Sequence, residues 1–305
     1  MDKTKAVIIC GPTASGKSAL AIELARLFNG EVVSADSLQV YRFMDIGTAK
    51  PSKEEISGVA HHLIDIVKPD EEYTAARFRE DAEEAIKGIR GRGKNVFIAG
   101  GTGLYIKALT QGLFEGPQAD WELRRELLGR AASIGTDALH ARLKEVDPES
   151  ASRIHPNNLH RVVRALEVYE LSRKPISDFQ REHSFRASPY ETLKIGVTKD
   201  RAELYSDIDR RVEQMVEAGL LEETKRLLSM GYASDLKPMS ALGYKEMAGF
   251  LKGEYAFEEA VRLLKRNTRR YAKRQLTWFK KDPEIRWFNP ADKTGIISSV
   301  KEFLA

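Results

Sequence analysis

Cysteine is almost absent from this chain of 305 residues. Cys10 is the only one, so no disulfide can form within the chain and a cysteine-rich zinc site is excluded. Long apolar runs are missing as well, because the stretch at 6–10 is far shorter than the roughly 20 residues that span a bilayer. The charged first residues lead directly into a strand-like segment, without the apolar region of a signal peptide. These absences predict a cytoplasmic protein that does not contact a membrane.

Acidic residues are missing from one segment near the C-terminus. The composition is that of a globular protein, with 42% hydrophobic and 31% charged residues and a net charge of +4. Residues 262–281, here called the basic segment, hold nine Lys or Arg and no Asp or Glu. The rest of the chain carries 40 basic and 45 acidic residues, a net charge of −5. Such a concentration of positive charge predicts a polyanionic partner.

The order of apolar patterns predicts the fold class. At roughly 150 residues per domain, the length corresponds to about two domains. Short β-branched runs at 6–10, 32–35 and 95–99 alternate with helical spacing at 18–28 and at about 74–90. Strands that alternate with helices predict an α/β fold with a parallel sheet flanked by helices.

A change of pattern after Gly112 predicts an insertion. Residues 120–179 have helical spacing almost throughout, with Thr136, Asn158 and Asp147-Pro148 as candidate helix starts. A strand pattern returns at 194–198, and long helices are expected at about 201–228 and 257–281. We therefore expect an α/β core made of residues 1–114 and 191–305, and an all-helical insertion domain at 115–190.

One loop matches the phosphate-binding pattern G-x-x-x-x-G-K-[ST] in full, between a strand and a helix. Its residues are Gly11, Pro12, Thr13, Ala14, Ser15, Gly16, Lys17 and Ser18. In such a loop the backbone N–H groups and the helix N-terminus bind phosphate, the lysine reaches the outer phosphates and the serine ligates Mg²⁺. The motif predicts a P-loop NTPase-like core that binds a di- or triphosphate, and it leaves the rest of the ligand open.

Many nucleotide hydrolases have an acidic residue at the end of an apolar strand that follows the P-loop, and this chain has none after its strand at 95–99. The run at 95–99 ends in Gly100-Gly101-Thr102-Gly103, whereas Asp36 follows the strand at 32–35. Ligands of parallel α/β sheets bind at the carboxyl ends of the strands, so Asp36 should face the same crevice as Lys17. Asp36 could ligate Mg²⁺ or cap a helix, but we favour a general base beside the phosphates.

Further blocks are distinctive in sequence: SADSLQVY (34–41), DIGTAKP (45–51), HHLID (61–65), GGTGLY (100–105), RVVRALE (161–167), LGYKE (242–246) and YAKRQLTWF (271–279). With the P-loop, they resemble the tRNA dimethylallyltransferases, also called tRNA isopentenylpyrophosphate transferases, in order over nearly the whole chain. One departure is Phe43, where members of that family commonly have glycine.

The resemblance implies a Mg²⁺-dependent transfer of a dimethylallyl group. The donor is dimethylallyl diphosphate, and the acceptor is N6 of the adenosine just 3′ of a tRNA anticodon. Asp36 would be the general base on a flipped-out adenine. Lys17, Ser18 and Arg211 would stabilise the leaving diphosphate, and Thr102 would border the reaction site.

The resemblance also implies tRNA contacts in the helical insertion domain and at 240–245, and the charge and helical spacing of the basic segment predict further contacts there. The predicted tRNA contacts are Asp36, Ser37, Leu38, Gln39, Thr102, Arg124, His160, Arg161, Val162, Val163, Arg164, Ser240, Gly243, Tyr244, Lys245, Arg266, Arg269 and Lys273. Trp121, Trp278 and Trp287 are expected to pack in the core or at its edge rather than to stack on bases. No coiled-coil pattern is present, and a monomer is expected.

Three alternatives remain open at this stage. A prenyltransferase could act on free adenine nucleotides, although a small acceptor needs neither the insertion nor the basic segment. The P-loop alone would also allow a nucleotide or nucleoside kinase. A nucleotide-gated RNA-binding switch is a third possibility, and a catalytic base at Asp36 argues against it.

Overall fold

Six parallel strands form the sheet in this computed structural model, which describes residues 3–114, 116–183 and 188–305. The strands are β1 (Thr4–Cys10), β2 (Gly30–Ser34), β3 (His61–His62), β4 (Asn95–Gly100), β5 (Tyr190–Val197) and β6 (Ile285–Phe288). Their order across the sheet is β3-β2-β4-β1-β5-β6, and every neighbouring pair is parallel. The predicted α/β class with a parallel sheet is confirmed.

Thirteen helices lie in the described part of the chain. They are α1 (Lys17–Leu27), α2 (Ala75–Gly91), α3 (Gly103–Gln111), α4 (Trp121–Ile134), α5 (Thr136–Val146), α6 (Pro148–Arg153), α7 (Leu159–Ser172), α8 (Ile176–His183), α9 (Arg201–Glu217), α10 (Leu220–Ser229), α11 (Tyr244–Leu251), α12 (Phe257–Phe279) and α13 (Lys293–Leu304).

Helices cover both faces of the sheet because side chains along a strand alternate between the faces. On β1, Ala6 and Ile8 pack in one core cluster, and Val7 and Ile9 pack in the other. All four are fully buried. The first cluster includes residues of α2, α3 and α10–α12, and the second includes residues of α1 and α13. The continuous apolar run of β1 is thus the pattern of a strand covered on both sides.

The chain forms two compact units, one of Met1–Thr110 with Pro189–Ala305 and one of Gln111–Ser188. The sheet belongs to the first unit. The second unit contains α4–α8, with a core that includes Leu127, Leu143 and Leu166. Its described residues contain no strand.

Helix boundaries in the second unit depend on local capping. Asp147 accepts a hydrogen bond from the Ser150 N–H at 2.9 Å, and Pro148 is the first residue of α6, as predicted. The prediction of Thr136 as an N-cap is wrong, because Thr136 is already helical and Gly135 takes the cap position with φ 88°. Asn158 is an N-cap by position, without a hydrogen bond from its side chain.

One predicted long helix is two helices in the structure. The pattern at 201–228 divides into α9 and α10 at Gly219, which has a φ of 99°. A left-handed backbone conformation ends a helix and favours glycine. In the part of the chain that the structure describes, no helix is both long and apolar enough to cross a bilayer.

Candidate active site

The P-loop connects β1 to α1, and its glycines are required by close approaches. A Cβ on Gly11 would lie 2.3 Å from the carbonyl oxygen of Val197, at the end of β5. Gly16 caps α1 with a φ of 88°. Lys17 is buried, and its Nζ donates to the Pro12 carbonyl at 3.1 Å. The loop therefore keeps its lysine and the N-terminus of α1 together at the carboxyl edge of the sheet.

A cavity of about 100 Å³, partly open to solvent, lies beside the P-loop, and we call it the inner cavity. Its polar wall includes Thr13, Lys17, Ser18, Asp36, Arg211 and Gln275. Its apolar wall includes Leu38, Ile208, Val212, Met215, Leu242 and Leu264. A phosphate-binding loop, one carboxylate and a hydrocarbon-lined wall thus share one space.

The charges in the inner cavity influence one another. Burial and, to a smaller extent, the Arg211 guanidinium lower the pKa of the Lys17 ammonium from 10.5 to about 8. Burial also lowers the pKa of Arg211. The negative charge of Asp36 partly offsets both of these shifts, because it favours the charged form of each cation. The arrangement concentrates positive charge where an anionic group would be held.

The Asp36 carboxylate is oriented by its own turn. Its Oδ1 accepts a hydrogen bond from the Leu38 N–H at 2.9 Å. No helix begins at this position, so the alternative role as a helix cap is wrong. Gly100, at the end of β4, has no room for a side chain, since a Cβ there would lie 2.1 Å from the Ala35 carbonyl oxygen. The two strand ends therefore lie close together, and Asp36 is the carboxylate that lines the cavity.

A second, more open groove also adjoins the P-loop, and we call it the outer groove. It contains the basic side chains of Arg26, Lys50 and Lys53. The residues that it shares with the inner cavity are Lys17, Ser18, Arg211 and Met215. The phosphate-binding loop can therefore be reached from two spaces.

Gln275 of α12 joins the P-loop to the loop that follows β4. Its Oε1 accepts from the Thr13 N–H at 2.9 Å, and its Nε2 donates to the Gly101 carbonyl at 3.0 Å. A Cβ on Gly101 would lie 2.2 Å from that Nε2. No sequence motif assigns a role to Gln275. The available signal was helical spacing, because Leu264, Thr268, Tyr271 and Gln275 recur on one face of α12 and all four line the cavity.

Glu223 holds the loop that forms another wall of the cavity. Its carboxylate accepts hydrogen bonds from the N–H groups of Asp45, Ile46 and Gly47, at 3.0, 3.0 and 3.1 Å. It also accepts from the Tyr244 hydroxyl at 2.6 Å. Tyr244 is fully buried, so its side chain is not available to RNA and instead supports this loop. Glu223 is not among the residues predicted from the sequence, because nothing local marks a glutamate that caps a loop over 170 residues away.

Thr102 and Gln39 also make internal contacts. Thr102 does not line the inner cavity; its Oγ1 accepts from the Ser37 N–H at 3.0 Å and so holds the Asp36 turn. Gln39 does line the cavity, but its Oε1 accepts from the Ser34 hydroxyl at 3.0 Å. Its Nε2 points at the Ala49 carbonyl at 3.3 Å. A contact between the Gln39 amide and tRNA, which the resemblance predicts, would require these hydrogen bonds to open.

The predicted tRNA contacts in the helical unit divide by burial. Val162 and Val163 lie in the core, so their side chains cannot reach RNA in this structure. Arg124 and Arg164 both pair with the fully buried carboxylate of Glu167, at 2.9 and 2.6 Å. Burying a carboxylate without a partner is costly, so these two arginines stabilise the unit. The exposed basic side chains of this set are His160 and Arg161.

The cations of the basic segment fall into two groups, those that pair with a carboxylate and those that do not. Arg262 pairs with Glu259 at 2.6 Å, Lys265 with Glu213 at 2.5 Å and Arg269 with Asp209 at 2.5 Å. Arg269, which is predicted to contact tRNA, pairs with this aspartate while 37% of its side chain stays exposed. The other six cations have no ion pair among the described residues, and we call them the free cations: Arg266, Arg270, Lys273, Arg274, Lys280 and Lys281.

The predicted tRNA contacts at 240–245 also differ in exposure. Ser240 and Lys245 are exposed, whereas Gly243 is buried.

A P-loop at the carboxyl edge of a parallel sheet flanked by helices places the chain in the class of P-loop α/β proteins, here with a carboxylate and an apolar wall beside the loop. The family model described as IPP transferase matches residues 39–282, and the chain belongs to that family.

Full-length relatives agree with this assignment. The chain is 54% identical over 303 residues to the tRNA dimethylallyltransferase of Geobacter metallireducens, covering 99% of this chain and 98% of that protein. It is 53% identical over 305 residues to tRNA dimethylallyltransferase 2 of Geotalea uraniireducens, covering 100% and 98%.

Solved structures have the same P-loop NTPase-like fold. The tRNA isopentenylpyrophosphate transferase of Bacillus halodurans superposes with a TM-score of 0.73 at 46% identity, covering 99% of this chain and 96% of that one. A eukaryotic dimethylallyltransferase acting on tRNA superposes with a TM-score of 0.79 at 30% identity, covering 98% and 77%.

Proposed function

We propose that this protein transfers a dimethylallyl group from dimethylallyl diphosphate to N6 of the adenosine 3′-adjacent to the anticodon in tRNA, releasing diphosphate. The observation that carries the proposal is the inner cavity, in which the P-loop, Asp36 and an apolar wall lie together. The names of the full-length relatives support it. A diphosphate with a five-carbon chain needs both parts of that lining.

The reaction needs little covalent chemistry from the protein. N6 attacks the first carbon of the dimethylallyl group, the bond from that carbon to the diphosphate oxygen breaks, and the diphosphate leaves with the electron pair. Asp36 takes the proton that N6 loses. An exocyclic amine is a weak nucleophile because its lone pair is delocalised into the ring, and a positioned base contributes about 10²–10⁴-fold.

The P-loop amides, Lys17 and Arg211 would hold the diphosphate and stabilise its growing negative charge. Ser18 suits Mg²⁺, because its exposed hydroxyl lines the cavity and makes no hydrogen bond within the described residues. Mg²⁺ is usually bound by few protein oxygens together with substrate phosphates and water. When bound, the ion would neutralise charge on the diphosphate.

The acceptor adenine must leave its base stack to reach a recessed carboxylate. Ser37, Leu38 and the Asp36 turn would contact the extruded nucleotide, with Thr102 holding that turn. The exposed His160, Arg161, Ser240 and Lys245 and the free cations would contact the rest of the tRNA. We also propose that the protein acts in the cytoplasm as a monomer.

Two observations argue against the rival activities. A kinase or nucleotide-gated switch would use an acid after β4, where this chain has Gly100 and Gly101. A prenyltransferase for free nucleotides has no use for six exposed free cations on and just after one helix.

Mass spectrometry of nucleosides tests the proposal directly. Unmodified tRNA incubated with the protein, Mg²⁺ and dimethylallyl diphosphate, without ATP, should yield an adenosine heavier by one dimethylallyl group. In single turnover, Asp36→Asn should lower the rate by about 10²-fold or more while tRNA affinity changes little, since the amide oxygen still accepts from the Leu38 N–H.

Asp70→Asn is the matched control, because it removes the same charge from an exposed position outside the cavity. It should leave the rate unchanged. A strict requirement for ATP would contradict the proposed reaction, and a near-normal rate for Asp36→Asn would contradict the role of Asp36 as base.

A further inference from the structure

Trp278 is exposed, although its sequence context predicts packing. About 39% of its surface is accessible to solvent. It lies on α12 three residues after Gln275 and seven after Tyr271, which places it on the face that lines the inner cavity. That face therefore continues beyond the last cavity-lining residue to an exposed indole ring.

The loop after β4 leaves room for this ring. A Cβ on Gly103 would lie 2.1 Å from the indole Nε1 and 2.2 Å from Cδ1. The pyrrole edge of Trp278 therefore occupies the space where a side chain would stand. Leu104, the next residue, is 47% exposed. The result is an apolar surface directly beside the loop that Gln275 joins to the P-loop.

The ring has no stacking partner among the described residues. The other strongly exposed tryptophan, Trp121, is covered by the Arg124 guanidinium at 4.5 Å from its centroid. No comparable cation or aromatic ring packs on Trp278 in the described part of the chain.

Free cations flank this ring. Arg274 lies one helical turn before it, and Lys281 follows three residues after it. Exposed aromatic rings among unpaired cations are the composition of sites that bind single-stranded nucleic acid: the rings stack on bases and the cations contact phosphates.

We propose that Trp278 stacks on an unpaired base of the tRNA anticodon loop that neighbours the flipped adenosine, with Arg274 and Lys281 contacting the adjacent phosphates. This inference rests on the proposed function. Extruding one base takes a stacking partner away from its neighbours, and the indole replaces that partner. The ring thereby stabilises the open form of the loop at the entrance to the cavity.

Binding of a fluorescent anticodon stem-loop RNA at several salt concentrations tests the proposal. Trp278→Ala should weaken binding by about 5- to 150-fold, the range for losing one base–aromatic stack. Trp278→Phe should recover most of the affinity. The salt slope should stay unchanged, because stacking neutralises no phosphate. Met230→Ala, which removes an exposed apolar side chain at the end of α10, should bind as the wild type does.

A second measurement separates stacking from a structural role. Stem-loops that lack one base at a single loop position should bind the wild type more weakly at the stacked position. The Trp278→Ala variant should bind the stem-loop that lacks this one base as tightly as it binds the intact stem-loop, because the stack is already absent. The new methyl group of Gly103→Ala displaces the indole, so this variant should bind the intact RNA more weakly. Removal of the stacked base should not weaken its binding further.

Equal affinity of Trp278→Ala and the wild type would overturn the inference, as would additive losses at every loop position. These outcomes differ from a failure of the proposed function, in which the wild-type protein itself would not prenylate the RNA.

Discussion

Lys17 shows how a single residue acquires its properties from its surroundings. Burial and the neighbouring Arg211 lower the pKa of its ammonium from 10.5 to about 8, so the residue titrates just above neutrality. Diphosphate binding would favour the charged form. The free protein thus holds a cation whose charge is costly until an anion arrives.

This lowered pKa predicts a pH limit on donor binding. The donor phosphates are already ionised above pH 7, since a second phosphate pKa is about 6. Affinity for dimethylallyl diphosphate should be constant below about pH 8 and fall as pH rises further, because Lys17 loses its proton. Calorimetric titrations between pH 7 and 9.5 would measure this. Lys17→Gln should bind weakly at every pH without the break, and an unchanged break in that variant would contradict the assignment.

The lowered pKa of Lys17 also makes the stability of the fold depend on pH, in the opposite direction from donor affinity. Between about pH 8 and 10.5 the unfolded chain holds a proton on Lys17 that the folded chain has lost. The contribution of this residue to the free energy of unfolding therefore rises with pH in that window.

Phe43 is a second position where local geometry explains a sequence feature. Its φ is 70°, in the left-handed region that favours glycine. The one noted departure from the family pattern therefore falls at a backbone conformation that suits the more common residue.

At the scale of elements, α12 carries three surfaces with different tasks. One face lines the inner cavity and includes Gln275, a second forms ion pairs with residues outside the basic segment, and a third exposes free cations. One hydrogen bond of Gln275 connects this helix to the P-loop, and the other connects it to the loop after β4. We expect Gln275 to be a positioning residue for the donor site.

Substitution of Gln275 tests that role. Gln275→Leu leaves the Thr13 N–H and the Gly101 carbonyl without partners, and it should weaken donor binding by about 5- to 150-fold. Gln275→Glu should be worse, because it repels the Gly101 oxygen and adds a negative charge beside the P-loop. The salt slope of tRNA binding should not change.

The measurements are donor affinity, tRNA affinity and the thermal unfolding midpoint, with Thr277→Ala on the exposed side of the same helix as control. Equal donor affinity in both variants and the wild type, with only the unfolding midpoint lowered, would leave Gln275 a structural role alone.

At the scale of the whole molecule, charge is distributed unevenly. The basic segment is positive in a chain that is otherwise slightly negative, and three of its nine cations are paired with carboxylates of the protein. Each phosphate neutralised on a duplex-like stem contributes about −0.9 to the slope of log K against log salt. The free cations, rather than the whole segment, should determine that slope.

Two double variants with the same change in net charge separate these contributions. Arg270→Gln with Lys273→Gln removes free cations, and it should weaken tRNA binding and flatten its salt slope by about one to two units. Arg262→Gln with Lys265→Gln removes paired cations and should change the slope little. The rate at saturating tRNA should stay near normal in both. Equal slopes in the two variants would mean that net charge alone attracts the RNA.

Several features of the fold and site follow from neighbouring residues. The strand–loop–helix around Lys17, the alternation of strands and helices, the helical character of 120–179 and the position of Asp36 at a strand end are properties of short segments. Backbone propensity, capping and periodicity act over a few residues, so a sequence contains them directly. The resemblance to a family added the reaction.

The tertiary structure decided which side chains are exposed and which are held by contacts within the protein. Arg269 is paired with an aspartate 60 positions earlier, Gln275 bonds a P-loop amide 262 positions earlier, and Glu223 caps a loop over 170 positions away. Val162 and Tyr244 are buried, whereas Trp278 is exposed. Burial and long-range hydrogen bonds depend on how distant segments pack together, and no local pattern contains that information.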